Sequence, residues 1–259
     1  MNATTQSLVG RTAIVTGAGS GIGRGIALAL ASAGANVTVA VRRQATGDET
    51  AELIRAEGGR VLVVEADVAK EADVERAIAG SATEFGGVDI VIHNANASDS
   101  AHPIALEDIT DEKWETQARV TWDGALWLAR VALPYLKRSP AGRFVLLGSA
   151  FGLHGAGFNP IYAALKGGTR GFTKALAREW GPFGITVNAI QPAAATEPAE
   201  VFFNQYPQIR DAFMRNFPLG RLGRPREDIG RAVVAICTDE FGFITAQSIQ
   251  VDGGLYTAV

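Results

Sequence analysis

One cysteine, Cys237, stands among the 259 residues, so no disulfide can form within the chain, which fits a reducing compartment and a cytoplasmic protein. It ends the apolar stretch Ala232 to Cys237, where a thiol is expected to be a small buried hydrophobe and not a nucleophile. No run approaches the roughly 20 apolar residues that cross a bilayer, and the first ten residues carry no basic cluster leading into an apolar stretch. Strong charge is absent too. Against 27 acidic residues stand 24 basic ones, a net charge of -3, which offers no field for gripping a phosphate backbone, so neither nucleic acid nor membrane is an expected partner. His93, His102 and His154 lack the clustered carboxylates or cysteines of a metal site. No repeat, low-complexity tract or Pro/Ser linker divides the chain, and its length suits one large core, so residues 1–259 read as a single domain.

What is present is alternation. Short runs rich in Val, Ile and Leu recur at Ala13 to Val15, Val37 to Val39, Val61 to Val64, Ile90 to Ile92, Phe144 to Leu147, Ile185 to Val187 and Ile249 to Val251. Helix-length segments lie between them at Ile22 to Ala33, Thr50 to Glu57, Glu71 to Phe85, Lys113 to Lys137, Tyr162 to Trp180 and Glu227 to Cys237. This pattern predicts an α/β fold: a Rossmann-type doubly wound domain whose seven-stranded parallel sheet carries helices on both faces. Thr196 to Pro218 interrupts it with Val201, Phe202, Phe203, Tyr206, Phe213, Met214 and Phe217 in no clean period. Ligands bind beyond the carboxyl ends of the strands in such sheets, so residues 196–218 are an expected substrate lid, against the plainer reading of a helical hairpin packed on the core.

After the first strand comes Thr16-Gly17-Ala18-Gly19-Ser20-Gly21-Ile22-Gly23, opening a helix. Glycines let the backbone turn sharply and approach a pyrophosphate, whose charge a helix N-terminus favours. The spacing is T-G-x-x-x-G-I-G, and with Asp67-Val68, Asn94-Ala95, Ser149, Tyr162-x-x-x-Lys166, Asn188-Ala189, Pro192, Thr196 and Val251-Asp252-Gly253-Gly254 the chain resembles the short-chain dehydrogenase/reductase family, including its 3-oxoacyl-acyl-carrier-protein reductase-like members. The resemblance implies one dinucleotide-binding and catalytic domain, an NAD(P)-dependent oxidoreductase moving a hydride between nicotinamide and a carbonyl or secondary alcohol. It implies cofactor contacts at Gly17, Ser20, Gly21, Ile22 and Gly23, at Asp67 and Val68 near adenine, at Asn94 and Ala95 along the ribose, at Tyr162 and Lys166, and at Pro192 and Thr196 near the carboxamide.

Cofactor choice falls at the end of the second strand, where an acidic side chain accepts from a ribose 2′-hydroxyl. Here that position is Val41, while Arg42 or Arg43 can pair with a 2′-phosphate, so NADP(H) is the expected cofactor, with NAD(H) as the alternative if both arginines only point into water.

Tyr162 and Lys166 are four residues apart, so both project from one helical face, about 100° away from a buried stripe of Leu165, Phe172 and Leu176. A neighbouring ammonium stabilises a phenolate, and is expected to lower the tyrosine's ionisation toward the range useful for proton transfer. By resemblance, Ser149 hydrogen-bonds the reacting oxygen and Lys166 also holds the nicotinamide ribose. Asn96, Ser149, Phe151, Tyr162 and Phe202 are the expected substrate contacts.

Three motifs depart from the family pattern. The usual N-N-A-G reads His93-Asn94-Ala95-Asn96, so either the backbone avoids a glycine-only conformation or Asn96 adopts a left-handed one. The helix asparagine of the catalytic tetrad aligns with Thr121, which offers only a hydroxyl, and the usual Pro-Gly reads Pro192-Ala193. These departures leave a second reading, a cofactor-binding homologue with little catalysis and a structural or regulatory role. Phe151, Leu153 and Phe158, with the lid, suggest a bulky hydrophobic small-molecule substrate. The resemblance further implies a homotetramer built on the two long helices and last strand, where Trp114, Trp122 and Trp127 serve core or interface.

Overall fold

In the computed structural model, which describes residues 7–100, 102–196 and 203–256, all seven apolar runs enter one parallel sheet. The strands are β1 (Thr12–Thr16), β2 (Asn36–Val41), β3 (Val61–Glu65), β4 (Ile90–His93), β5 (Arg143–Leu147), β6 (Thr186–Pro192) and β7 (Ser248–Val251), in the order β3-β2-β1-β4-β5-β6-β7. Helices α1 (Gly21–Ser32), α2 (Gln44–Ala56), α3 (Glu71–Phe85), α4 (Asp111–Ala118), α5 (Gly124–Leu136), α6 (Phe151–His154) and α7 (Pro160–Trp180) occupy the crossovers.

Successive strand residues point to opposite faces, which is why the strands are apolar throughout. Ile14, Val91, Phe144 and Leu146 join Leu128, Leu136 and Trp180 in one core. Val15, Val39, Ile92 and Val145 join Ile26, Leu30 and Ile236 in the other. Phe144 and Trp180 meet edge to face at 5.5 Å between ring centroids, an arrangement aromatic quadrupoles favour. Cys237 is buried in the second core, and burial pushes its thiol up to about 12, the inert character expected of it.

The strand order reverses between β1 and β4. There the chains leaving the two carboxyl ends diverge and open a crevice, with the glycine loop on one side and Asn94 to Asn96 on the other.

Four elements differ from the sequence expectation. α2 starts at Gln44, well before Thr50, because Gly47 lets this turn lie directly against Val41 and Val63. The stretch Lys113 to Lys137 is broken by a π-turn at Arg119–Asp123, marked by the Gly124 amide bonding the Arg119 carbonyl. A second π-turn, Pro225–Gly230, precedes the helix Arg231–Cys237 and packs closely on α1 through Gly25 and Gly230. Within the aperiodic segment, Pro207–Met214 is a helix opened by proline at its first turn. Among the described residues no helix is long and apolar enough to cross a membrane, and no group of three or more His, Cys, Asp or Glu can hold a metal ion.

Candidate active site

Thr16 ends β1 with its backbone still in the ladder, and the chain then turns at Gly17, whose φ of +65° excludes most side chains. A Cβ on Gly23 would run into the Gly17 carbonyl and the Asn94 amide, so the first turn of α1 approaches the loop only because that residue is glycine. Asn94 secures the loop from the other side: its Nδ2 donates to the carbonyls of Thr16 (3.0 Å) and Gly17 (3.1 Å). The Thr16 hydroxyl accepts from the amides of Asn94 and Ala95, each at 3.1 Å. Arg24 braces the far edge, bonding the Gly19 carbonyl and Glu49.

Between these walls lies a cleft of about 470 Å³. Gly17, Ser20, Gly21, Ile22 and Gly23 line one side, Asp67, Val68, Asn94, Ala95 and Asn96 the other, with Arg42 and Arg43 at one end and Thr196 also on the lining. Twelve of the fifteen expected cofactor residues therefore surround one cavity, while Tyr162, Lys166 and Pro192 lie outside its lining. Asp67 is the one carboxylate on the lining among the described residues, and it caps its own turn by accepting from the Ala69 amide at 3.0 Å. Val41 is buried against Gly47, so the usual acidic position carries methyl groups, and exposed Arg42 and Arg43 are the charges nearest it in the chain. Among the described residues the non-glycine positions with positive φ are Phe158 and Ala246, so at Asn96 and Ala193 the backbone avoids the glycine-only region.

The second cluster hangs from the carboxyl end of β5. Tyr162 hydrogen-bonds Ser149, whose Oγ also accepts from the Phe151 amide at 3.2 Å, and the Phe151 ring stands edge-on to Tyr162 at 6.2 Å. Lys166 is 4% exposed, its Nζ donates to the Leu147 carbonyl at 2.6 Å, and it lies 5.7 Å from the centre of the Tyr162 ring. The face that spacing alone puts beside the buried stripe is thus itself drawn into the protein. Gly152 of α6 packs closely on the main chain of Lys166 and Gly167, which seats α6 against α7.

Burial governs the protonation of both groups. It pushes the Tyr162 phenol up from its ordinary value, only partly opposed by the hydrogen bond to Ser149, and it pushes the Lys166 ammonium down to about 8. The expected lowering of the tyrosine by its lysine is overturned, because desolvation of the phenolate dominates.

Thr121 is buried in the π-turn and lines a separate apolar cavity of about 230 Å³ with Trp122, Leu126, Leu146, Thr169 and Phe172, whereas its neighbour Val120 lines the larger cleft. Phe202 falls outside the described residues, as do 197–201 of the expected lid. In the remainder, Phe203 stacks on Phe213 (5.5 Å) and Phe213 meets Phe217 edge to face (5.3 Å).

Sequence reasoning names Thr16 and His93 within their motifs but gives neither a role of its own. His93 is 5% exposed, with Nδ1 3.2 Å from the Thr16 hydroxyl and Nε2 3.2 Å from the Thr121 carbonyl. The available signal was a polar residue closing the otherwise apolar Ile90-Val91-Ile92. Burial first, and then the Lys166 charge, push this imidazole down to about 4. The unfolded chain therefore takes up the proton first as pH falls from about 6.5, so stability is whole above that pH and declines through about 4, by about 3 kcal/mol. Denaturant midpoints measured between pH 7 and 4 should fall less steeply in His93→Gln than in the parent.

A family model described as enoyl-(acyl carrier protein) reductase matches residues 17–256. A 12alpha-hydroxysteroid dehydrogenase from Clostridium sp. is 34% identical over 253 residues, 95% of this chain and 96% of that protein. A 3-oxoacyl-acyl-carrier-protein reductase from Haemophilus influenzae is 34% identical over 216 residues, 82% of this chain and 86% of that protein. Among solved structures, a 3-ketoacyl-(acyl-carrier-protein) reductase from Brucella melitensis complexed with NADH superposes with a TM-score of 0.86 at 32% identity, covering 96% of this chain and 99% of that one.

Proposed function

The chain belongs to the short-chain dehydrogenase/reductase family of NAD(P)-dependent oxidoreductases, and we propose that it reduces the carbonyl of a bulky hydrophobic substrate with NADP(H), the alcohol oxidation being the reverse. The observation that carries the reading is the joining of Ser149, Tyr162 and a buried Lys166 at the end of β5, beside a glycine-walled cleft.

The cleft fits a dinucleotide. Gly17 and Gly23 let the loop, the first turn of α1 and the Asn94-Ala95 wall approach one another, and the α1 N-terminus, without a side-chain cap at Ser20, lies on the lining. The cofactor contacts are Gly17, Ser20, Gly21, Ile22 and Gly23 toward the pyrophosphate, Asp67 and Val68 toward adenine, Asn94 and Ala95 along a ribose, and Pro192 and Thr196 toward the carboxamide. A nicotinamide bound there supplies the hydride. Tyr162 gives its proton to the developing alkoxide, and its buried, still protonated phenol suits it to act as an acid at neutral pH. Ser149 holds the same oxygen by hydrogen bond. Lys166 brings positive charge beneath the phenol, stabilises the phenolate left after transfer and holds the nicotinamide ribose. Thr121 contributes its main chain in place of the usual asparagine side chain.

Gly23→Ala is expected to lower Tm and to weaken binding of the reduced dinucleotide roughly 10–100-fold, the equivalent of about 1–3 kcal/mol of overpacking, read by fluorescence titration. Arg42 and Arg43 supply the 2′-phosphate contact. Replacing both by alanine should cost at least about tenfold in kcat/KM for NADPH and little for NADH, as loss of a charge-assisted hydrogen bond requires. A parent enzyme that prefers NADH contradicts this choice of cofactor.

Residues 196–218 serve as the lid of a single domain, and Asn96, Phe151 and Phe202 join Ser149 and Tyr162 around the substrate. The contacting rings of Phe203, Phe213 and Phe217 and the steroid and acyl substrates named for two relatives support a large apolar ligand. The test is NADPH oxidation against steroid ketones, aryl ketones and 3-oxoacyl thioesters; turnover on none, with cofactor bound, overturns the enzymatic reading. Exposed Trp114, Trp122 and Leu126 support a homotetramer, and sedimentation as a monomer at micromolar concentration contradicts it.

A further inference from the structure

The Thr16 hydroxyl has two lone pairs and one proton, and both lone pairs serve the amides of Asn94 and Ala95. Its proton is left to donate, with His93 Nδ1 at 3.2 Å and the Ile92 carbonyl at 3.4 Å as acceptors. An N–H on Nδ1 would point at an oxygen with no free lone pair. At the other end of the ring the Thr121 carbonyl can only accept, so Nε2 carries the proton. Hydrogen-bond counting thus selects one neutral tautomer. The π-turn explains why that carbonyl is reached by a side chain: a change of register from i+4 to i+5 displaces the carbonyls of this turn, and His93 interacts with those of both Val120 and Thr121. Around the ring, β1 presents Thr16, the π-turn presents carbonyls, and α7 presents the charge of Lys166.

We propose that His93 is a positioning residue for cofactor binding: protonated on Nε2 alone, it fixes the π-turn to the Thr16 hydroxyl that holds the Asn94-Ala95 wall of the cleft. This rests on the cofactor reading given above. Freed from His93, the Thr16 hydroxyl keeps only its longer contact to the Ile92 carbonyl, its lone pairs turn from the two amides, and the wall against Gly17 loosens.

The test measures binding of NADPH by fluorescence to the parent, His93→Leu and His93→Gln, each shown folded by circular dichroism, together with the long-range 1H–15N spectrum of the parent imidazole. His93→Leu should bind about tenfold or more weakly, and His93→Gln, which can accept at one end and donate at the other, should recover to within about threefold. The spectrum should show Nε2 protonated and Nδ1 bare at pH 7, with no cofactor present. Leucine binding like the parent, glutamine no better than leucine, or a proton on Nδ1 overturns the proposal. If His93→Leu does not fold, His93→Phe against His93→Gln makes the same comparison, only glutamine offering an acceptor and a donor. A parent that binds neither NADPH nor NADH removes the cofactor reading and this inference together, whereas a binding parent matched by a binding leucine variant removes only the role of His93.

Discussion

Tyr162→Phe is expected to lower kcat for carbonyl reduction by about 10²- to 10⁴-fold, the usual contribution of a positioned proton donor, while NADPH binding stays within about threefold of the parent. Phenylalanine keeps the ring that meets Phe151 edge-on and lies 5.7 Å from Lys166, so packing at the end of α7 survives and only the hydroxyl is lost. The Ser149 hydroxyl loses one partner but still serves the Phe151 amide. A fall in kcat without a rise in cofactor dissociation constant identifies an interaction made in the transition state. Near-normal kcat would remove Tyr162 from the mechanism.

Lys166→Met is expected to lose turnover by at least about 10²-fold and yet to remain as stable as the parent at pH 7. The folded protein holds this ammonium with an ionisation near 8, against 10.5 for an ordinary lysine. The unfolded chain therefore keeps its proton to higher pH, so the fold carries a penalty that is present in full below about 8 and vanishes above 10.5, about 3 kcal/mol by linkage. Methionine removes that penalty but leaves the Leu147 carbonyl without its donor, at about 1–3 kcal/mol, so the two effects largely offset. Tm from calorimetry and kcat from NADPH oxidation should separate: stability held, catalysis gone. In the parent, reduction should decline as pH rises through about 8, because Lys166 then loses the charge that supports proton release from Tyr162. A Lys166→Met protein that turns over normally contradicts this account.

The sheet was legible because each strand is a local signal. A run such as Ala13-Ile14-Val15 is apolar on both faces, and only a strand covered on both sides needs that. The glycine loop was equally local, since strand, turn and helix follow one another within a dozen residues. Depth was not local. Spacing places Tyr162 and Lys166 on one face but does not show that Lys166 is buried, or that desolvation reverses the shift expected for the tyrosine. Nor does periodicity reveal the π-turn at Arg119–Asp123, since one extra residue per turn hardly disturbs an apolar pattern. His93 has no role legible in its motif for the same reason: its partners Thr16 and Thr121 stand 77 and 28 residues away, and only the fold assembles them.

The most direct test of the central claim uses NADPH carrying deuterium at C4 on the transferred face, with an accepted ketone in ordinary water. Hydride transfer assisted by Ser149 and Tyr162 predicts an alcohol bearing one deuterium on its carbinol carbon and none on its oxygen after exchange. An alcohol without deuterium at that carbon, with label retained in the cofactor or lost to water, would contradict the account.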